Sequence, residues 1–117
     1  MDKLKLGKKG EELAVKFLQK QGLKILARNY KTPQGELDII AKNPKEIIFI
    51  EVKTRTSQEF GKPAEAVNYR KQEKLKLLAQ EYLCTNKLEN SNLRFDVLAI
   101  VIRPQGKPKI EWLQGAI

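Results

Sequence analysis

Three charged residues interrupt two otherwise apolar segments of this chain. Asp38 lies within segment 36–40, and Glu51 and Lys53 follow the apolar run 47–50. Residues two apart on a β-strand point to the same face, so Glu51 and Lys53 are expected to project together, about 6–7 Å apart along the strand. A tight turn between the two segments would place Asp38 across from this pair. Two carboxylates and an ammonium would then meet at one end of a sheet.

This combination of side chains suits the hydrolysis of a phosphodiester bond. Neighbouring carboxylates repel each other at low dielectric, and their pKa values rise unless a cation lies nearby. A hard divalent ion, Mg²⁺ or Mn²⁺, accepts one or two carboxylates together with water and substrate phosphate oxygens. Such an ion lowers the pKa of a bound water and offsets charge on the leaving oxygen. Asp38 and Glu51 are therefore the predicted metal ligands, and Lys53 would stabilise charge on the phosphate. An ordinary Glu51–Lys53 ion pair is the structural alternative.

Five further residues are candidates for the same site, and each has a structural alternative. Glu11, near the buried stripe of a predicted helix, could be a fourth member or could complement the helix dipole. Arg55 continues the alternation of the strand and could contact phosphate, or it could be solvated. Lys71 lies on the apolar side of a predicted helix, so it could reach the site or could be an ordinary surface lysine. Arg28 and Asn29 could line the substrate groove, although Asn29 could equally satisfy backbone groups in a hairpin.

The charge of the chain fits a polyanionic partner. Its 117 residues, enough for a single domain over 1–117, include 23 Lys and Arg against 14 Asp and Glu, a formal net charge of +9. Such an excess attracts a polyanion, most often DNA or another nucleic acid, although it also serves solubility.

Several classes of protein are excluded by what the sequence lacks. The chain contains no His, so a Ser-His-Asp triad and a His-based zinc site are ruled out. Cys84 is the only cysteine, which excludes an internal disulfide and agrees with a reducing compartment. The longest apolar run, 97–102, is far shorter than the roughly 20 residues that span a bilayer. The protein is therefore predicted to be cytoplasmic, with no membrane partner.

The hydrophobic periodicity predicts an α/β protein with the element order α-β-β-β-α-β-β. Helices are expected over 7–22 and 64–85, with strands over 23–30, 36–42, 46–54, 93–102 and 109–113, and with a polar loop over 55–63. The second helix is long enough for a crossover, which makes the third and fourth strands parallel. Short turns join the first three strands into an antiparallel meander. A mixed central sheet with a helix on each face follows.

Motifs along most of the chain match a known group of proteins. The matching stretches are Gly7-x-x-Gly10-Glu11-x-x-Ala14-x-x-Phe17-Leu18, Arg28-Asn29-Tyr30, Gly35-Glu36-Leu37-Asp38-Ile39-Ile40-Ala41, Ile48-Phe49-Ile50-Glu51-Val52-Lys53-Thr54-Arg55, Phe60-Gly61-x-Pro63-x-Glu65-Ala66-Val67, Lys71 and Arg94-Phe95-Asp96-Val97. Asp38 with Glu51-Val52-Lys53 resembles the PD-(D/E)xK nuclease core of restriction enzymes and archaeal Holliday junction resolvases. The full set resembles the YraN-like family of small bacterial proteins, described as endonucleases related to those resolvases.

The resemblance implies a restriction endonuclease-like fold and a catalytic set of Glu11, Asp38, Glu51 and Lys53. It assigns metal binding to the three acids. Leu37 stands where the name motif has Pro. Because resolvases of this fold act as two-fold dimers, the resemblance also suggests a homodimer.

Three functions remain open at this point. The first is an Mg²⁺-dependent nuclease that hydrolyses DNA, with branched or otherwise structured DNA as a candidate substrate. The second is a non-catalytic nucleic-acid-binding module with the same fold that acts with a partner enzyme. The third is a protein-interaction domain with an incidental basic surface. Acids that face phosphate favour the first over the second, because a protein that only binds nucleic acid gains nothing from them.

Overall fold

The computed structural model describes residues 2–56 and 68–117. Its elements are α1 (Lys3–Lys20), β1 (Lys24–Thr32), β2 (Gly35–Lys42), β3 (Ile47–Thr56), α2 (Tyr69–Thr85), β4 (Leu93–Ile102) and β5 (Lys109–Leu113). The predicted α/β class and element order are confirmed. Within the described residues, no helix is both long and apolar enough to cross a membrane.

Side-chain caps explain why both helices start where they do. Helix α1 begins at Lys3, four residues before its predicted start at residue 7, because Asp2 Oδ1 accepts the N–H of Lys5 at 2.8 Å. Helix α2 begins at Tyr69, where Asn68 Oδ1 accepts the N–H of Lys71 at 2.9 Å. The predicted start of this helix at residue 64, most of the predicted loop, and the motif over 60–67 lie outside the described residues.

The five strands form one mixed sheet in the order β1-β2-β3-β4-β5. Strands β3 and β4 are parallel, as expected for a helical crossover, and the other neighbouring pairs are antiparallel. Strand β3 lies at the centre, in agreement with its apolar run over 47–50. It continues to Thr56, so Arg55 belongs to the strand and not to the predicted loop.

Two apolar clusters cover the two faces of the sheet, one under each helix. On the α1 face the buried residues are Leu6, Ala14, Leu18, Leu23, Ile39, Ala41, Ile48, Ile50, Leu98, Ile100 and Ile102. On the α2 face they are Leu37, Ile40, Ile47, Phe49, Leu75, Leu78, Ala79, Tyr82, Leu83, Phe95 and Val97. The helix-on-each-face arrangement is therefore confirmed.

Strands β2 and β3 separate at Asp38, and this break creates the candidate site. Their paired register ends where Ile39 meets Ile50. Leu37 then packs on the α2 face although Ile39, two residues away, packs on the α1 face. The regular alternation of a strand thus slips by one residue at Asp38. The Asp38 carboxylate occupies the gap, where its Oδ2 accepts the N–H of Val52 at 2.9 Å.

A buried carboxylate ties the end of the chain to β4. Asp96 is fully buried and accepts hydrogen bonds from Arg94 Nε and Nη2 (2.9 Å each), Trp112 Nε1 (2.8 Å) and the Gly115 N–H (2.9 Å). Arg94 also donates to Glu46 at 2.7 Å, and its pKa is raised, chiefly by the hydrogen bonds to Asp96. All donors converge on one carboxylate, which therefore adds to the β4–β5 pairing in holding β5 and Gly115 in place.

Gly10 allows α1 to approach β3 closely, which leads to a prediction about stability. A Cβ atom at this position would overlap the side chain of Thr54, whereas one at Gly7 would meet no atom within 4 Å. Gly10→Ala should therefore destabilise the protein by about 1–3 kcal/mol through overpacking. Gly7→Ala should stabilise it by about 0.5–1 kcal/mol, since Ala is the better helix former. Urea unfolding of both variants measures the difference; equal free energies of unfolding would contradict the close packing.

Candidate active site

A cavity of about 360 Å³ lies between the first turns of α1 and the gap between β2 and β3. It is lined by Lys3, Leu6, Gly7, Glu11, Asp38, Glu51, Val52, Lys53 and Thr54. The structure thus brings the four residues of the expected catalytic set to one cavity. Their sequence positions span three elements, and the strand separation is what opens the space between them.

Asp38 has an unusually basic carboxyl group. Burial raises its pKa most, the charge of Glu51 adds to this, and the pKa moves from its usual 3.8 to about 7. The hydrogen bond from the Val52 N–H opposes this rise, whereas the hydrogen bond with Glu51 and the charge of Glu11 support it. The two carboxyl groups are therefore close enough to compete for negative charge, which is the situation that a divalent cation relieves.

Glu51 is 8% exposed and has two lysines at the same carboxylate oxygen. Lys71 Nζ donates to Glu51 Oε1 at 3.0 Å, and Lys53 Nζ lies 3.9 Å from that atom. Lys71 comes from α2, whereas Glu11 comes from α1. Lys71 is not among the residues that line the cavity, and it is connected to the site through its contact with Glu51.

The two lysines differ in how firmly they hold their protons. Burial lowers the pKa of Lys53, and the hydrogen bond and charge of the neighbouring Lys71 lower it further. Burial also lowers the pKa of Lys71, but the hydrogen bonds with Lys53 and Glu51 and the charges of Glu51 and Asp38 together outweigh burial and leave this pKa raised. Lys71 is therefore the firmly protonated partner of Glu51, whereas Lys53, beside the cavity, loses its proton more readily.

The donor set suits a hard cation through two oxygen ligands. Asp38 and Glu51 supply neighbouring carboxylates, and Glu11 lines the same cavity. Within the described residues, no three His, Cys, Asp or Glu side chains already form a group that could hold a metal ion. Mg²⁺ commonly binds through one or two carboxylates, with water and substrate phosphates completing its ligands. The Asp38–Glu51 pair meets this requirement.

The remaining predicted residues lie outside the cavity lining. Arg28 and Asn29 are exposed on β1. Asn29 has a φ of 50°, a left-handed conformation uncommon for a residue other than glycine. The neighbouring pairs Arg28–Ile39 and Tyr30–Leu37 place Asn29 opposite Asp38 on β2. Arg55 is half-buried on β3.

One cavity residue, Lys3, was missed by the sequence prediction. It lies in the first turn of α1, which begins before the predicted helix start. The available signal was the spacing: Lys3, Gly7 and Glu11 are separated by four residues and share one side of a helix. Extending the helix back to its Asp2 cap would have placed Lys3 beside Glu11.

A larger cavity, of about 580 Å³, lies at the opposite end of β3. Among the described residues that line it, Glu46 is the only acid, and its carboxylate pairs with Arg94 at 2.7 Å. This cavity has no pair of neighbouring carboxylates. The candidate chemistry therefore belongs to the smaller cavity.

The raised pKa of Asp38 predicts how stability depends on pH. The folded protein holds the Asp38 proton more tightly than the unfolded chain does. The contribution of this proton to stability is therefore complete below about pH 4 and is lost as the pH rises through about 7. As the pH rises across that window, deprotonation of Asp38 should lower the free energy of unfolding by at most about 1.4 kcal/mol per pH unit. Asp38→Asn should flatten the profile when urea unfolding is measured at pH 4.5 and 8 without divalent cations. Parallel profiles would show that Asp38 titrates normally.

Fold and site together define a small α/β protein in which a separated strand pair presents carboxylates and lysines to a cavity. The family model described as "Uncharacterised protein family UPF0102" matches residues 10–100. The chain belongs to this family, which is the YraN-like family indicated by its motifs.

Relatives from three organisms match nearly the full length of the chain. A UPF0102 protein of Thermodesulfovibrio yellowstonii is 49% identical over 116 residues, which cover 99% of this chain and 98% of the relative. One from Dictyoglomus thermophilum is 47% identical over 107 residues, covering 92% and 91%. One from Rhodococcus opacus is 42% identical over 113 residues, covering 97% and 96%.

Proposed function

We propose that this protein is an Mg²⁺- or Mn²⁺-dependent endonuclease with a restriction endonuclease-like fold that hydrolyses phosphodiester bonds in DNA. The observation that carries the proposal is the Asp38–Glu51 pair, held together where β2 and β3 separate, with Lys53 and Glu11 at the same cavity. A raised carboxyl pKa at a cavity is a common property of catalytic sites. Resemblance of the motifs to the PD-(D/E)xK core supports the same reaction.

Each residue of the site has a role in this proposal that follows from its surroundings. Asp38 and Glu51 would hold the cation, which supplies an activated water and neutralises charge on the phosphate. The Val52 N–H orients the Asp38 carboxylate through the hydrogen bond to Oδ2. Lys53, beside Glu51 and a quarter exposed to solvent, would stabilise the negative charge that develops on the attacked phosphate. Glu11 would add a third carboxylate from α1.

The electrostatic surroundings of the cavity favour a polyanionic substrate. The net charge of +9 supplies long-range attraction to phosphate. Both helices begin near the cavity and have no acid in the first turn, which contains Lys3 and Lys5 in α1 and Arg70 and Lys71 in α2. Helix N-termini carry partial positive charge and favour anions. Action on DNA in the cytoplasm is consistent with a single cysteine, Cys84.

The contacts of Glu51 favour one alternative, a nucleic-acid-binding module that does not cleave. Lys53 and Lys71 already neutralise this carboxylate without a metal ion. A protein that only binds DNA could retain such a cluster as a structural ion-pair network. The two functions differ in their response to divalent cations, because binding alone requires none.

A cleavage assay on end-labelled linear, flapped and four-way DNA, with Mg²⁺, with Mn²⁺ and with a chelator, tests the proposal. We expect cleavage of at least one substrate with either cation and none with the chelator. Binding should weaken with salt, with log K falling by about 0.9 per phosphate neutralised per tenfold increase in salt. Salt-sensitive binding without cleavage under any condition would favour the binding module. Absence of binding at low salt would contradict both functions.

A further inference from the structure

Lys71 occupies a position that is electrostatically unfavourable within its own helix. It is the third residue of α2, where the N-terminal end of the helix dipole disfavours cations. Arg70 precedes it, and the first turn contains no acid that could compensate. The Asn68 cap fixes the backbone at this point by accepting the Lys71 N–H. Stabilisation of the Lys71 ammonium must therefore come from outside the helix.

That stabilisation comes from Glu51. The Lys71 Nζ to Glu51 Oε1 distance is 3.0 Å, shorter than the 3.9 Å from Lys53 to the same oxygen. The Glu51 side chain is 9% exposed and that of Lys71 is 39% exposed, so a buried carboxylate is paired with a lysine that is partly open to solvent. An acid this deeply buried needs a positive partner, because an unpaired buried charge is strongly disfavoured.

The Lys71 ammonium therefore donates a hydrogen bond to one of the carboxylate oxygens that a divalent cation would need as a ligand. With all groups ionised, Asp38 and Glu51 contribute two negative charges and Lys53 and Lys71 contribute two positive charges, which leaves their sum at zero. A divalent cation that entered this cluster unchanged would meet two nearby ammonium groups. Departure of one ammonium reduces that repulsion and makes Glu51 Oε1 available to the cation. Lys71 is the one whose Nζ contacts this oxygen within hydrogen-bond distance.

We propose that Lys71 is a displaceable counter-ion of Glu51, which neutralises this carboxylate in the metal-free protein and leaves it when a divalent cation binds. The inference rests on the proposed function, which supplies the cation. It differs from a role in which Lys71 only contacts DNA, because it requires Lys71 and the cation to compete in the absence of any substrate.

Calorimetric titration of the full-length protein with Mn²⁺ and with Mg²⁺, without DNA and at pH 8.5, tests this competition. Lys71→Met retains the apolar stem and removes the charge. We expect the variant to bind the cation roughly three- to tenfold more tightly. The lower figure corresponds to the loss of a partly exposed ion pair, and the upper figure to the loss of a better-shielded one. In metal-free buffer the Tm of the variant should fall by about 4 °C, since the acids lose their counter-ion, and saturating Mn²⁺ should restore it.

Two controls separate competition from a general loss of positive charge. Lys76→Met removes a lysine from the same helix whose partner, Glu73, lies at 3.9 Å on the exposed surface. Lys71→Arg retains the positive charge at the site. Lys76→Met should bind Mn²⁺ with an affinity within about twofold of the unmodified protein. Lys71→Arg should bind Mn²⁺ no more tightly than the unmodified protein, because a cation remains at Glu51.

The possible results distinguish the two proposals. If Lys71→Met is the only one of the three variants that binds the cation more tightly, the result supports displacement of Lys71. Unchanged or weaker binding by Lys71→Met, with cation binding by the unmodified protein, overturns the counter-ion role and leaves the nuclease proposal standing. If neither protein binds Mn²⁺ or Mg²⁺, with or without DNA, the metal-dependent nuclease fails, and the displacement of Lys71 fails with it.

Discussion

Lys53→Ala is expected to slow DNA cleavage by about 100-fold or more, the usual cost of removing one preorganised stabilising group. The fold should remain intact, because Lys53 Nζ lies 3.9 Å from Glu51 and a quarter of its side chain is exposed. Lys53→Arg should also be impaired, since a planar guanidinium cannot replace a compact ammonium in a confined cavity. Single-turnover cleavage with Mg²⁺, together with the thermal unfolding curve of each variant, measures both effects.

Glu51→Gln should be measured in the same assay, because this substitution separates catalysis from DNA binding. The substitution removes a negative charge and releases Lys71 and Lys53 from their shared carboxylate. DNA affinity in metal-free buffer should therefore stay equal or increase, while cleavage with Mg²⁺ should be lost. Full cleavage by Lys53→Ala would assign this lysine to an ordinary ion pair, and full cleavage by Glu51→Gln would remove Glu51 from the metal ligands.

Asp96→Ala is expected to lower the free energy of unfolding by about 3–5 kcal/mol, as when one partner of a buried ion pair is removed. The substitution would remove the acceptor of Trp112 Nε1 and the Gly115 N–H, which lie 2.8–2.9 Å from the carboxylate, and would leave Arg94 with Glu46 as its acidic partner. Because these donors hold β5 and the C-terminal residues, the loss should appear as lower stability of the whole protein. Urea unfolding followed by tryptophan fluorescence provides the measurement.

Glu46→Ala is a matched control for this prediction. It removes the other acid bound to Arg94, but the Glu46 side chain is 24% exposed whereas that of Asp96 is fully buried. Water can compensate for the loss of Glu46, so its effect should stay near 1 kcal/mol or below. Equal destabilisation by Glu46→Ala and Asp96→Ala would contradict a special role for the buried carboxylate.

The fold was largely accessible from local patterns in the sequence. Apolar runs identified all five strands, and the bounds of β4 and β5 agree with their predictions at both ends. A helix between the apolar runs over 46–54 and 93–102 was sufficient to predict a parallel pair, because a crossover of that length reverses the chain twice. The least accurate bounds were the helix starts, which depend on the Asp2 and Asn68 caps and not on periodicity.

The composition of the candidate cavity was also predictable in large part. Period-two alternation placed Glu51 and Lys53 on one side of β3, and a short turn brought Asp38 beside them. Periodicity also placed Lys71 on the inner side of α2. These inferences need only the direction in which each side chain points within its own element, and the sequence determines that direction locally.

Tertiary structure alone decided how these side chains interact. The slip at Asp38 that separates β2 from β3, the 3.0 Å contact between Lys71 and Glu51, and the hydrogen bonds to Asp96 from Trp112 and Gly115 all involve residues far apart in the sequence. The raised pKa of Asp38 arises chiefly from burial. Local sequence patterns determine which face of an element is buried, but distances between elements, and the desolvation that shifts a pKa, depend on how the layers pack against each other.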